Sequence, residues 1–131
     1  MRRRSGRASW QMAGLAIGVL ILAVIQGVGA ARAASPTVDP AAVAQKIAAG
    51  HAYDKHVVAE GQFPGISSRA AFAALIQGII EHPAASRQLT SERTAWWDEA
   101  SGTVVIANPH DRDGGTCFKP RAGRPYFDHL Y

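Results

Sequence analysis

A chain of 131 residues has room for one domain of ordinary size, and its single cysteine, Cys117, excludes an internal disulfide framework. The formal net charge of +4 is unevenly distributed: five of the 14 Lys and Arg (Arg2, Arg3, Arg4, Arg7 and Arg32) precede residue 34, whereas all 10 Asp and Glu follow it. From Ala34 onward the balance is close to neutral, which excludes a global electrostatic argument for nucleic-acid binding and leaves only local charge to make one.

The first third reads as a leader. Its arginines form a basic start, Met12 to Ala31 carries no charge, and Ala31-Arg32-Ala33 offers small residues at the positions before a cut at Ala34. That three-part layout predicts a signal peptide over residues 1–33 and a secreted or periplasmic product. The apolar run also approaches the ~20 residues that a bilayer-spanning helix needs, so an uncleaved membrane anchor is the competing expectation. In either form the leader's partner is a membrane. Residues 34–38 read as a linker, and 39–131 as the domain.

Asp39 followed by Pro40 predicts a helix start, with Val43 and Ile47 on its apolar stripe up to Gly50. His51 to Val58 continues that helix or restarts it, and Gly61, Pro64 and Gly65 end it. Ser67 or Ser68 caps a second helix, on which Phe72, Leu75, Ile76, Ile79 and Ile80 recur at i, i+3, i+4, i+7 and i+8. Pro83 stops it. Thr94 to Trp97 and Thr103 to Ala107 are β-rich runs around the turn residues 98–102 and predict an antiparallel hairpin. Thr116-Cys117-Phe118 predicts a third strand, and Tyr126-Phe127 begins a short last element. Helices first and strands later imply an α+β fold, the N-terminal helices packed on one face of a small antiparallel sheet.

Three clusters could carry chemistry. His51 and Lys55 are i and i+4 on a helix and share a face, with His56 one position further round. An ammonium beside an imidazole suits phosphate chemistry, the first holding an anionic oxygen and the second moving a proton near neutral pH; the bland reading is a solvated helix face. On a regular helix His51 and His56 splay apart, so a shared metal is not expected. Arg93 precedes Trp96-Trp97: an Arg can fork onto a phosphate and an aromatic can stack on a base. Alternation turns one tryptophan of the pair inward and the other outward, without deciding which. The loop Asn108 to Gly115 leads into Thr116, whose hydroxyl could meet a bound oxyanion; the alternative is a mobile connection. Cys117 reads as a half-buried strand cysteine.

Taken in order, His51-Ala-Tyr-Asp-Lys55-His56, Gly65-Ile66-Ser67, the helix from Phe72 to Ile80, Arg93-Thr-Ala-Trp-Trp97-Asp, Gly102 to Pro109 and Asp113-Gly-Gly-Thr116 resemble the C-terminal nuclease domains of bacterial polymorphic and contact-dependent inhibition toxins. These belong to the barnase–EndoU–colicin–RelE-like superfamily of small metal-independent ribonucleases. The resemblance runs from about Ala48 to Tyr131. It implies helices on a curved antiparallel sheet, as in microbial ribonucleases, with the active site on the exposed sheet face. It assigns catalysis to His56 and Lys55, with Arg93 and Thr116, His51 being the alternative histidine; beside these, Trp97 and Asn108 are the expected substrate contacts. It implies RNA as partner, no metal and no cofactor, and a neutralising immunity protein where the RNA is the producer's own. The expected activity is cleavage by 2′-OH attack to a 2′,3′-cyclic phosphate. The rival expectation, from the near-neutral mature charge, is a non-catalytic secreted or periplasmic binding module on the same fold.

Overall fold

The structure, a computed structural model, describes residues 37–131. The expected signal peptide or anchor, residues 1–33, and most of the linker lie outside the described residues. Helix α1 spans Pro40–Ala49 and starts where the sequence predicts: the Asp39 carboxylate accepts from the backbone N–H groups of Ala41 and Ala42 at 3.0 and 3.3 Å. The chain then restarts after Gly50. Tyr53–Ala59 is a π-helical segment, closed where the Glu60 N–H donates to the Lys55 carbonyl five residues back at 2.9 Å. Gly61, at φ 60°, turns the chain out of it.

Helix α2 is Arg69–Glu81, capped by Ser68 through Ala71 N–H at 3.1 Å. Phe72, Ile76, Ile79 and Ile80 are buried along its inner stripe, and Pro83 follows its end. The sheet is an antiparallel meander of β1 (Ala85–Gln88), β2 (Thr94–Asp98), β3 (Thr103–Ala107) and β4 (Gly115–Phe118), in that spatial order. The fold is thus α+β, helices followed by an antiparallel sheet, as the element order implies. No helix among the described residues is long and apolar enough to cross a membrane.

Strand β1 has no signal in the sequence. Its residues, Ala-Ser-Arg-Gln, lack the branched and aromatic side chains that favour strands. It forms because β2 offers an open edge, pairing Ala85 with Trp97 and Arg87 with Ala95. Arg87 also marks it as an edge: the guanidinium reaches over the strand to the carbonyls of Phe127 and Asp128.

Register decides what each face carries. Trp96, Val105 and Cys117 are cross-strand partners on the face that packs against α1 and α2. Trp97, Val104 and Phe118 lie across from one another on the opposite face, with Ala95 and Ile106 beside them. That second face is not bare. A short helix α3, Arg124–Asp128, lays Phe127 onto Trp97 with ring centroids 6.0 Å apart. Both tryptophans are consequently buried, which corrects the expectation that one faces outward: alternation holds, but each face has its own apolar cover. Cys117 is fully buried rather than half-buried, and burial pushes its thiol well above the ordinary cysteine value.

Candidate active site

The outer sheet face is covered by α3 at one end and open at the other, where β4 meets the π-helical segment. A cleft of about 370 Å³ lies there. Its walls bring together residues 65 positions apart in the chain: His51, Lys55, His56, Arg93, Asn108 and Thr116 all line it.

His51 precedes the π-helical segment by two residues, while Lys55 and His56 lie within it, and all three line the cleft. On a regular helix a step of five residues swings well past a full turn; the wider winding from Tyr53 onward turns His56 less far from His51. His51 is held by Asp113. One carboxylate oxygen, Oδ2, accepts from the His51 backbone N–H at 3.1 Å and pairs with ring Nδ1 at 2.7 Å. With Nδ1–H donating, the tautomer leaves Nε2 as a lone-pair acceptor, and Nε2 has no hydrogen-bond partner among the described residues. The ring bond, followed by the backbone bond, keeps the Asp113 carboxyl below its ordinary value of 3.8. Sequence reasoning missed this partner because it lies 62 residues away. Gly50 permits the approach: a Cβ there would stand 2.6 Å from the Asp113 Cβ.

His56 is more enclosed. Its ring stacks on Phe118 at 5.2 Å, and Nδ1 pairs with Glu60 at 2.8 Å, so that it too carries a carboxylate partner. Nε2 makes no hydrogen bond among the described residues, and since no buried side-chain nitrogen or oxygen there is left unpartnered, the atom keeps some exposure to solvent; the His56 side chain lines the cleft. Lys55 is exposed at the cleft wall and has no ion pair among the described residues, which leaves its ammonium available.

Arg93 is positioned but partly engaged. It donates to the Thr90 carbonyl and hydroxyl at 3.1 Å and to the Tyr131 carbonyl at 2.7 Å. One terminal nitrogen remains unbonded among the described residues. Thr116 reaches the outer face as the cross-strand partner of Ile106. Gly115 sets the preceding backbone at φ 132°, and a Cβ there would overlap the Ile106 carbonyl oxygen at 1.9 Å, so only glycine lets β4 enter the sheet at that point. The loop before it is tied by hydrogen bonds of its own. Asn108 N–H donates to the Gly114 carbonyl at 2.8 Å, its side chain accepts from His110 N–H at 3.1 Å, and Asp111 accepts from Asp113 N–H at 3.0 Å.

Trp97 does not belong to the site. It is 2% exposed, and its indole N–H donates to Glu99 at 2.6 Å beneath α3. The expectation that it stacks on a substrate base is overturned, because base stacking needs an open aromatic face. Phe118, half-buried, is the aromatic of β4 on the cleft wall; its small strand gave no reason to single it out.

Arg69 is a third residue that sequence reasoning missed. From the start of α2 it donates to the carbonyls of Ala48 and Gly50 at 2.8 and 3.1 Å and forks onto Asp54 at 2.7 and 2.8 Å. It also lies over the Tyr53 ring, 4.8 Å from its centroid. Arg69 thus ties the α1–π junction that sets His51 and Lys55. Arg69→Ala is expected to lower stability by ~1–2 kcal/mol in urea unfolding, as loss of charge-assisted bonds at a partly exposed site does. An unchanged midpoint would mean the junction is held by packing alone.

No protein-family model and no curated protein matches the chain.

Proposed function

We propose that the protein is an exported, metal-independent ribonuclease, toxin-like in the sense of the resemblance drawn from its sequence. The observation that carries this reading is one cleft into which two carboxylate-held imidazoles, a free ammonium, a guanidinium and a hydroxyl all open. Phosphodiester transesterification asks for such a set: a base, an acid and donors toward the phosphoryl oxygens.

His51 suits the base, because Asp113 fixes its tautomer and its ring is 53% exposed to an incoming ribose. Its Nε2 takes the 2′-OH proton, the 2′ oxygen attacks the adjacent phosphorus, and the bond from phosphorus to the 5′ oxygen breaks. His56, protonated, returns a proton to that leaving oxygen. Lys55 and Arg93 meet the charge that builds on the phosphoryl oxygens, and the Thr116 hydroxyl donates to one of them. Asn108 sits at the rim, where its amide can meet a base edge. The products are a 2′,3′-cyclic phosphate and a free 5′-OH.

Incubating the purified protein with total RNA in EDTA tests the reading. Cleavage that survives chelation, leaves 2′,3′-cyclic ends and spares all-deoxy oligonucleotides is expected. The rate should be bell-shaped in pH, since one imidazole must be neutral and the other protonated. Failure to cleave, or cleavage of the deoxy substrate, would overturn it. The engagement of Arg93 by the Tyr131 carbonyl favours one second reading, a binding module that holds RNA without cutting it; salt-sensitive binding without cleavage is its signature.

A further inference from the structure

A second cavity, of about 490 Å³, adjoins the first, and His56 and Phe118 form the partition between them. Its other walls include Glu60, Gln62, Lys119 and Arg121. We infer that this cavity is a subsite for the neighbouring nucleotide of a single-stranded RNA, whose phosphate it holds with Arg121 and Lys119. The inference rests on the ribonuclease reading of the adjoining cleft and extends it to the length of substrate recognised.

Three features support it. The two cavities share a wall, so a chain whose scissile phosphate lies in the first must leave it past Phe118. That partition is aromatic: the His56 ring stacks on Phe118 at 5.2 Å, and Tyr126 meets Phe118 edge-on at 5.5 Å, giving an apolar surface suited to a base or ribose face. The charge is also in place. Arg121 is exposed and has no ion pair among the described residues, and Lys119 follows β4 directly, its backbone N–H bonded to Gln62 at 2.8 Å and its ammonium 5.2 Å from the Phe63 ring centroid. The one acid in the cavity, Glu60, is occupied, since its Oε2 bonds both His56 at 2.8 Å and Gln62 at 2.7 Å. A surface near neutrality overall thus presents local positive charge beside the site, the arrangement by which single-strand binders track a backbone.

Arg121→Ala tests the subsite with two substrates and one ligand. On a short oligoribonucleotide, kcat/KM is expected to fall roughly five- to tenfold, mainly through KM. On a dinucleoside monophosphate, whose single phosphodiester fills the first cleft alone, the loss should be several-fold smaller. Binding of an all-deoxy oligonucleotide, followed by anisotropy against salt, should lose ~0.7 from the slope of log K on log salt. An equal loss on both substrates, or an unaltered KM and salt slope, would overturn the subsite. If the wild type cuts no RNA but Arg121→Ala still weakens salt-sensitive binding, the ribonuclease reading fails while the subsite stands.

Discussion

His51→Ala is expected to lower RNA cleavage by roughly 10²–10⁴-fold, the range general acid–base groups contribute, with little change in stability. The ring is 53% exposed, so truncation removes little packing, and the Asp113 carboxylate keeps its bond from the His51 backbone N–H. His56→Ala is the control that separates the two imidazoles. Its ring is buried against Phe118, so its loss should also lower the unfolding midpoint. Asp113→Asn keeps the shape of the pair and should lower cleavage less than His51→Ala does. It also has a pH signature. Because His51 holds the Asp113 carboxyl below its ordinary value of 3.8, the stability this adds is present above that value and is lost as pH falls through the lower, folded one. The gap in urea midpoint between wild type and Asp113→Asn should therefore be widest near neutrality and close in strong acid. Equal cleavage by His51→Ala and wild type would remove His51 from the chemistry.

Local signals were legible wherever a residue's effect is confined to its own turn. Asp39 with Pro40, Ser68, the apolar stripe of α2 and the hairpin about residues 98–102 all form where the sequence predicts, since caps and periodicity act within a few residues. What the sequence withheld was set by long-range pairing. Strand β1 exists through β2 and not through its own composition. The Asp113–His51 pair spans 62 positions. The π-helical segment changed which residues share a face, and with it the status of His51, whose splay from His56 holds only for a regular helix. The second apolar layer, α3 on the outer sheet face, could not be read from Tyr126-Phe127 alone, and it is what turned Trp97 from a surface aromatic into a core one.

Trp97→Ala puts that last correction to the test. The indole is 2% exposed, packed against Phe127 with centroids 6.0 Å apart, and its N–H bonds Glu99, which also receives Arg124 at 3.0 Å. Removing it hollows the outer layer and frees α3. Buried Trp→Ala changes cost about 3–5 kcal/mol, and a domain of this size has only ~5–15 kcal/mol in hand. Urea unfolding should show a loss of that order, with Trp97→Phe recovering most of it by keeping the contact with Phe127. The decisive comparison is with affinity. Were Trp97 a stacking platform for a base, its replacement would weaken binding of an all-deoxy oligonucleotide in proportion to the aromatic removed, at temperatures where the variant is fully folded. As a core residue it should leave that affinity near wild type while stability falls. Phe118→Ala should weaken binding directly, because Phe118 is the aromatic that both cavities share. Weakened binding by folded Trp97→Phe, with Phe118→Ala unaffected, would return the aromatic contact to Trp97 and place the RNA on a part of the face that α3 now covers.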